Sequence, residues 1–210
     1  MAGKSMLIIA DGMWPEQQVF RQLIDQTAYI IACDGAAARC FENGIEPACI
    51  IGDMDSLSSE HQDFFSKQKG TKFVKLTGQN ENDLVKAMHW SIENGASSID
   101  ICGIEGGDFD HHFAAILALC EVPSNARIHT TQSVIQRIGK DIYINHSIEK
   151  NTQFSLFPIG TVEGVFVRGA QWPLSDSTLR SGTQGLHNRS TGEPLEIRCD
   201  SGDLLLFLNR

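Results

Sequence analysis

Tyr29-Ile30-Ile31-Ala32-Cys33-Asp34-Gly35 and Ala48-Cys49-Ile50-Ile51-Gly52-Asp53-Met54-Asp55-Ser56 together decide the fold. Each opens as an unbroken apolar run, the pattern of a strand buried on both faces of a sheet. Between them, Ala36–Asn43 reads as a short helix that stops at Gly44, a residue suited to the turn past a helix end. Strand, helix, strand in this spacing is a parallel crossover unit. Both runs also end on acid.

The same alternation extends outward. Strands are expected at Ser5–Ala10, Lys72–Leu76 and Ser98–Cys102. Helices are expected at Pro15–Gln26, Ser58–Gln68, Asn82–Glu93 and Phe109–Glu121, with Pro15 in a first turn where its missing N–H costs little. Past residue 125 the rhythm changes. Arg127–Thr131, Val134–Ile138 and Asp141–Asn145 read as strands joined by short turns. Phe154–Phe157, Gly164–Arg168, Ser177–Arg180, Leu195–Arg198 and Leu204–Leu208 are short, alternating and punctuated by Gly and Pro. The expectation is an α/β chain: a Rossmann-like parallel-sheet domain over residues 1–147, then a small antiparallel β-sandwich over 148–210.

Composition narrows the function classes. The chain is 41% hydrophobic and 20% charged with net charge −9, ordinary for a soluble globular protein with a core. Residues 148–210 carry seven acids and six bases, so nearly all of the net negative charge lies before them. Nucleic acid, which demands a basic footprint, is not an expected partner. No apolar run reaches the roughly 20 residues of a membrane span, and Met6–Ala10 is too short for a signal-peptide core; a cytoplasmic protein is expected. Cys33, Cys49 and Cys102 sit in strand-like runs and Cys40 and Cys120 in helix-like ones, without any Cys-x-x-Cys pair. They read as reduced thiols used as small core residues rather than as a zinc site.

The carboxylates fall at one edge of this plan. Asp34 follows the second strand, Asp53 and Asp55 the third; Asp83 opens the helix after the fourth, and Asp108 and Asp110 follow the fifth. Ligands of an open α/β sheet bind at the carboxyl ends of its strands. Taken singly, Asp34, Asp83 or Asp108 also reads as a helix N-cap. Asp53 and Asp55, one residue apart in a Gly/Ser-flanked loop, repel each other unless a cation lies between them. Carboxylates without clustered His or Cys favour Mg2+ or Mn2+, and Mg2+ completes its shell with water and phosphates. Gly103, Gly106 and Gly107 form a loop entering the last helix, whose free N–H groups suit phosphate. Metal-assisted phosphoryl or nucleotidyl transfer follows.

These motifs, in this order, resemble the thiamine pyrophosphokinase family over nearly the whole chain. Asp34-Gly35 is similar to its Asp-Gly-Gly/Ala turn, and Gly52-Asp53-Met54-Asp55-Ser56 to its Gly-Asp-x-Asp-Ser signature. Asn80-Glu81-Asn82-Asp83 stands at its Asp-x-Thr-Asp, and Gly106-Gly107-Asp108-Phe109-Asp110-His111 at its Gly-Gly-Arg-x-Asp-His. Trp172-Pro173-Leu174 and Leu186-His187-Asn188 resemble its aromatic-Pro-Leu turn and thiamine-side loop. The resemblance implies a homodimer, with clefts between protomers, that converts ATP and thiamine to AMP and thiamine diphosphate. It implies Mg2+ held by Asp53, Asp55 and Asp83, with an amide oxygen from Asn80. The nucleotide side would use Asp34, Ser56, Gly106, Gly107, Asp110 and His111; the thiamine side would use Trp172, His187 and Asn188. Three positions depart from the pattern: Asn80 replaces Asp, Asp108 replaces Arg, and His187 replaces Ser. Arg39, Lys86 and Arg127 are the bases that stand to offset the reversed charge at Asp108.

Two other readings compete. A metal-dependent nucleotide-sugar transferase accounts for Asp53 and Asp55 but not for the tail or for Asp34, Asp83 and Asp110. A non-catalytic thiamine-binding protein rests on Asn80 and Asp108 alone. Among the remaining aromatic and histidine residues, Trp90 and His112 read as packing. Trp172 reads as a core or interface anchor ahead of a ring-stacking surface, and His111 equally as a nucleotide contact or a helix-start residue.

Overall fold

The computed structural model describes residues 3–68, 70–78 and 80–210. Its contacts divide the chain into two compact units, Met1–Thr131 and Gln132–Arg210. The expected boundary at 147/148 falls inside the second unit, between two of its strands.

The first unit is a parallel sheet with helical crossovers. Its strands are β1 (Lys4–Ile9), β2 (Tyr29–Cys33), β3 (Cys49–Gly52), β4 (Lys72–Lys75), β5 (Ala96–Cys102) and β6 (Ala126–His129). The helices are α1 (Gln17–Gln26), α2 (Ala37–Glu42), α3 (Ser59–Lys67), α4 (Asp83–Glu93) and α5 (Phe109–Glu121). Strand order is β4-β3-β2-β1-β5-β6, every pair parallel. Central β1 is buried on both faces from Met6 to Ile9. Leu7, Ile9, Ala32, Ile50 and Cys102 share one face with Phe20, Leu23, Cys40 and Phe65 of α1, α2 and α3. The opposite face receives α4, which packs on β1, β2, β3 and β5 with Leu84, Val85, Ala87 and Met88 buried. Helix starts are set locally: Ser58 Oγ accepts from His61 N at 3.2 Å, and Asn82 Oδ1 from Val85 N at 2.9 Å, each filling an N-terminal orphan donor.

One ionic cluster joins β5 to β6. Asp100 accepts Arg127 Nε and Nη2 at 3.0 and 3.1 Å, and His129 Nε2 at 2.7 Å. Burial pushes the Asp100 carboxyl up, but the His129 hydrogen bond and the Arg127 charge more than offset it and hold it below its ordinary value of 3.8. A lowered folded-state pKa means stability that is present above the ordinary value and lost as pH falls through the lowered one. Asp100→Asn should therefore lower the melting midpoint by about 5 °C near pH 7 and by much less near pH 3. Thermal melts at both pH values check this; equal losses would sink it.

The second unit is antiparallel: β7 (Ser133–Ile138), β8 (Ile144–His146), β9 (Gln153–Arg168), β10 (Leu174–Arg180), β11 (Gly185–Arg189), β12 (Leu195–Arg198) and β13 (Ser201–Asn209). Strand β13 runs between β7 and β9, and β12 between β9 and β8, while β10 and β11 also pair with β9. Phe154, Leu156, Val162, Val165, Val167, Leu195, Ile197, Leu204 and Leu206 form its core. Two expected strands prove to be one. The chain between Phe157 and Gly164, with Pro158 and Gly160, reads as a break, yet β9 continues through it, with Gly160 and Gly164 at φ 72° and 64°. Its first part pairs with β11 and its last with β10 and β12. Leu186-His187-Asn188, expected as a loop, lies within β11.

Candidate active site

Ligand crevices in open parallel sheets form where the strand order reverses direction. Here the chain steps from β1 outward to β4, then returns to place β5 on the other side of β1. At that switch point lies a cavity of about 790 Å³. Its wall comes from the segment after β1 (Ala10–Met13), the loop after β5 (Gly103–Asp108), the start of α4 (Asn82–Leu84), and Arg39, Asp53, Lys86 and His111. The first two segments are bonded together: Ala10 N donates to Cys102 O at 2.8 Å and Gly12 N to Gly103 O at 2.6 Å. Gly103, at φ 82°, has no room for a side chain, since a Cβ would stand 2.2 Å from Ala10 O.

Three of the expected acids meet beside this cavity. Asp34, Asp53 and Asp55 each offer a carboxylate oxygen within 4.8 Å of the others. Asp34 begins a 3-10 turn, Asp34–Ala36, directly after β2 and is only 3% exposed. Its Oδ1 accepts from Gly35 N at 2.8 Å and its Oδ2 from Met54 N at 2.9 Å. The second of these spans the two strand ends and pins the Asp53–Asp55 loop, in which Met54 adopts the left-handed conformation at φ 69°, uncommon outside glycine. Within the loop Asp55 N donates to Asp53 Oδ1 at 3.1 Å, and Ser56 Oγ donates to Asp55 Oδ1 at 3.1 Å.

Charge in this cluster is unbalanced. Burial, and then the negative charges of Asp83 and Asp53, push the Asp34 carboxyl up against the pull of its two backbone donors. Asp53 is held low, first by the Asp55 N–H, and also by the charges of Lys86 and Lys75. The donor set is all carboxylate oxygen. Each oxygen of buried Asp34 accepts one backbone N–H and keeps a lone pair. These features fit a hard divalent cation, which would relieve the mutual repulsion.

The other expected residues are distributed unevenly. Asp83 is the first residue of α4, on the cavity wall, with Oδ1 3.0 Å from Lys86 Nζ. Asn80 is exposed and lines an adjacent cavity instead. Gly106, Gly107 and His111 line the main cavity. Asp110 is exposed, its Oδ1 accepting from His111 N at 2.9 Å, and lies outside the cavity lining. Asp108 takes the N-cap position of α5 without a side-chain cap bond. Trp172 and Asn188 meet in the second unit: Asn188 Nδ2 donates to Trp172 O at 2.8 Å and Trp172 N donates to Asn188 Oδ1 at 3.1 Å. Both line a cavity of about 420 Å³ floored by Leu156, Leu174 and Leu179. Trp172 is 55% exposed, not a core anchor. His187 is exposed outside that lining, at φ 61°, and its backbone N donates to Ser155 Oγ.

Asp11 and Glu105 were not anticipated. Asp11 follows β1 as Asp34 follows β2, again in an Asp-Gly pair, and that repetition was the available signal. Burial raises the Asp11 carboxyl, and the Arg39 charge partly offsets it. Glu105 is tied back, accepting from Thr131 N at 2.6 Å and from Thr131 Oγ1 at 3.2 Å. Of the three candidate bases, Arg39 and Lys86 reach the cavity, while Arg127 is committed to Asp100. Arg39 donates to Gly12 O and stacks 5.0 Å from the Trp14 ring.

Comparison with known proteins gives this geometry its family. A family model described as "Thiamin pyrophosphokinase, catalytic domain" matches residues 20–131, and "Thiamin pyrophosphokinase, vitamin B1 binding domain" matches residues 140–204. The chain is 30% identical over 182 residues to thiamine pyrophosphokinase 1 of Arabidopsis thaliana, covering 80% of this chain and 67% of that protein. It is 26% identical over 177 residues to the Bacillus subtilis thiamine pyrophosphokinase, covering 80% and 83%. The crystal structure of thiamine pyrophosphokinase from Bacillus subtilis superposes with TM-score 0.81 at 21% identity, over 98% of this chain and 99% of that one. Yeast thiamin pyrophosphokinase gives 0.77 at 19% identity, over 100% and 87%. With both parts of the family matched and the carboxylate-lined switch point in place, the chain belongs to the thiamine pyrophosphokinase family.

Proposed function

We propose that the cavity at the β1/β5 switch point is where this enzyme transfers the pyrophosphoryl group of ATP to the hydroxyl of thiamine, giving thiamine diphosphate and AMP. The observation that carries the reading is the convergence of Asp34, Asp53 and Asp55 on one point at the ends of β2 and β3, in a chain of this family. Asp34, Asp53 and Asp55 would hold Mg2+, with Asp83 opposite and Asn80 at the neighbouring cavity. Bound there, Mg2+ supplies neutralisation of charge on phosphate oxygens. Asp34, anchored by two backbone N–H groups, keeps the Asp53–Asp55 loop in one geometry, which is what positioning catalysis requires. Gly106 and Gly107 leave the loop before α5 open to phosphate, with Ser56, Asp110 and His111 on the nucleotide side. The thiamine hydroxyl oxygen gives up its proton to solvent and bonds to the β-phosphorus as the bond from that phosphorus to the α,β-bridging oxygen breaks, and AMP leaves with that oxygen.

In this reading the unit ending at Thr131 is the Rossmann-like ATP- and metal-binding part, and the unit from Gln132 is the β-sandwich thiamine side. Trp172 and Asn188, braced together over an apolar floor, suit one face of an aromatic cation, with His187 beside them. A homodimer is part of the proposal; Phe109 and Phe113, 82% and 54% exposed one turn apart on α5, supply apolar surface for such a contact. Among the described residues no helix is long and apolar enough to cross a membrane. Cys33, Cys40, Cys49, Cys102 and Cys199 are buried free thiols, with burial pushing Cys40 and Cys49 up to about 12. Inert reduced thiols of this kind suit the cytoplasm.

The test is chromatography of nucleotides and thiamine esters after incubation with ATP, Mg2+ and thiamine. AMP and thiamine diphosphate in equal amounts are expected. ADP with thiamine monophosphate would instead mean transfer of a single phosphoryl group, and thiamine binding without any product would mean a binding protein.

A further inference from the structure

Lys86 stands where two cavities share a wall. Its side chain is 9% exposed, and Nζ lies 3.0 Å from Asp83 Oδ1. An ammonium carries three N–H donors, and burying it without filling them is costly. Asp83 is its only hydrogen-bond partner among the described residues, so two donors have no protein acceptor. Lys86 lines the main cavity, and it also lines a second one of about 520 Å³ bounded by Lys75, Thr77, Asn80, His89 and Trp90.

The surroundings indicate what those donors await. The main cavity wall holds six acids, Asp11, Asp53, Glu81, Asp83, Glu105 and Asp108, against two strong bases, Arg39 and Lys86. Arg39 is fastened by Gly12 O and the Trp14 ring. Lys86 is set one turn inside α4, aimed by its i,i+3 pair with Asp83, and keeps open donors beside the Asp53 loop. A protein acceptor would have filled those positions in a purely structural ion pair.

We propose that Lys86 is a phosphate-binding residue: its open N–H groups donate to oxygens of the nucleotide's polyphosphate chain at the partition between the two cavities. This deepens the ATP-dependent transfer proposed above and rests on it.

The test uses Lys86→Met, which keeps the stem and removes the charge, and Lys86→Arg, which keeps the charge. Binding of inorganic tripolyphosphate and of ATP, each with Mg2+, is followed by calorimetry beside thiamine binding. Charge-assisted hydrogen bonds of this type set the expected loss: K86M should weaken tripolyphosphate and ATP about 10- to 100-fold. Thiamine affinity should stay within about twofold, and K86R should recover part of the loss. Unchanged tripolyphosphate affinity in folded K86M would overturn the proposal, as would a loss equally large for thiamine. If unpaired Asp83 prevents K86M from folding, D83N/K86M is compared with D83N alone, and a further loss of tripolyphosphate binding of about 10- to 100-fold is expected from removing Lys86; no further loss would overturn the proposal. Wild-type protein that binds tripolyphosphate through Lys86 but forms no AMP would sink the transfer reading and leave this site standing.

Discussion

Replacing Asp53 or Asp55 by alanine should reduce the rate of AMP formation about a thousandfold or more, the scale of losing a metal's charge stabilisation. The melting midpoint should move by no more than about 2 °C. The separation of the two effects follows from the environment. Both side chains lie in the loop after β3 and neither is part of a packed core. Asp53 accepts the Asp55 N–H and Asp55 accepts the Ser56 hydroxyl, both bonds within the exposed loop. What alanine removes is negative charge from a cluster that already carries too much of it, which folding does not need and a cation does. Steady-state turnover and thermal melts on the same preparations decide the matter. Near-normal activity in either variant would show that the cluster does not hold the metal used in transfer.

Gly52→Ala should be nearly as damaging to turnover, by about a hundredfold or more, through a residue that bears no functional group. A Cβ at this position would stand 2.4 Å from Asp34 Cγ and 2.6 and 2.7 Å from its two oxygens. Both distances to oxygen are far inside contact, so the carboxylate must swing away. It then loses Met54 N, and the Asp53–Asp55 loop loses the bond that spans β2 and β3. Overpacking of this kind costs about 1–3 kcal/mol, or several degrees of melting midpoint. Pairing Gly52→Ala with Asp34→Ala removes the overlapping atoms. The double variant should regain most of the lost stability and none of the activity. Recovery of activity as well would mean that Asp34 is dispensable and only the clash mattered.

Much of the site could be read along the chain because its chemistry is local. Asp34-Gly35 and Gly52-Asp53-Met54-Asp55-Ser56 each place an acid one step beyond an apolar run, and the parallel strands carry both acids to the same edge. The Asp34 to Met54 bond then converts two sequence motifs into one cluster. The helix starts at Ser58 and Asn82 were legible as boundaries, but the cap of α4 is Asn82 and not Asp83, whose side chain pairs with Lys86 instead.

Other features depend on which strands become neighbours. Asp11 gains its importance only because β5 returns beside β1 and makes that strand end part of a crevice. Arg39, Lys86 and Arg127 were equivalent as bases in the sequence. The fold sends two to the cavity and gives the third to Asp100 across a strand pair. Asn80, three residues before Asp83, faces a different cavity because α4 begins between them. In the second unit, glycines that look like breaks let β9 bend and continue, since strand continuity is decided by the partners β10, β11, β12 and β13 rather than by the residues of β9. The alternating elements and the acidic strand ends are written in the chain as periodicity and short-range bonding, and the family is written there as motifs in a fixed order. Which charges share a cavity is set by the fold, because that depends on strand order and on close approaches that no local pattern encodes.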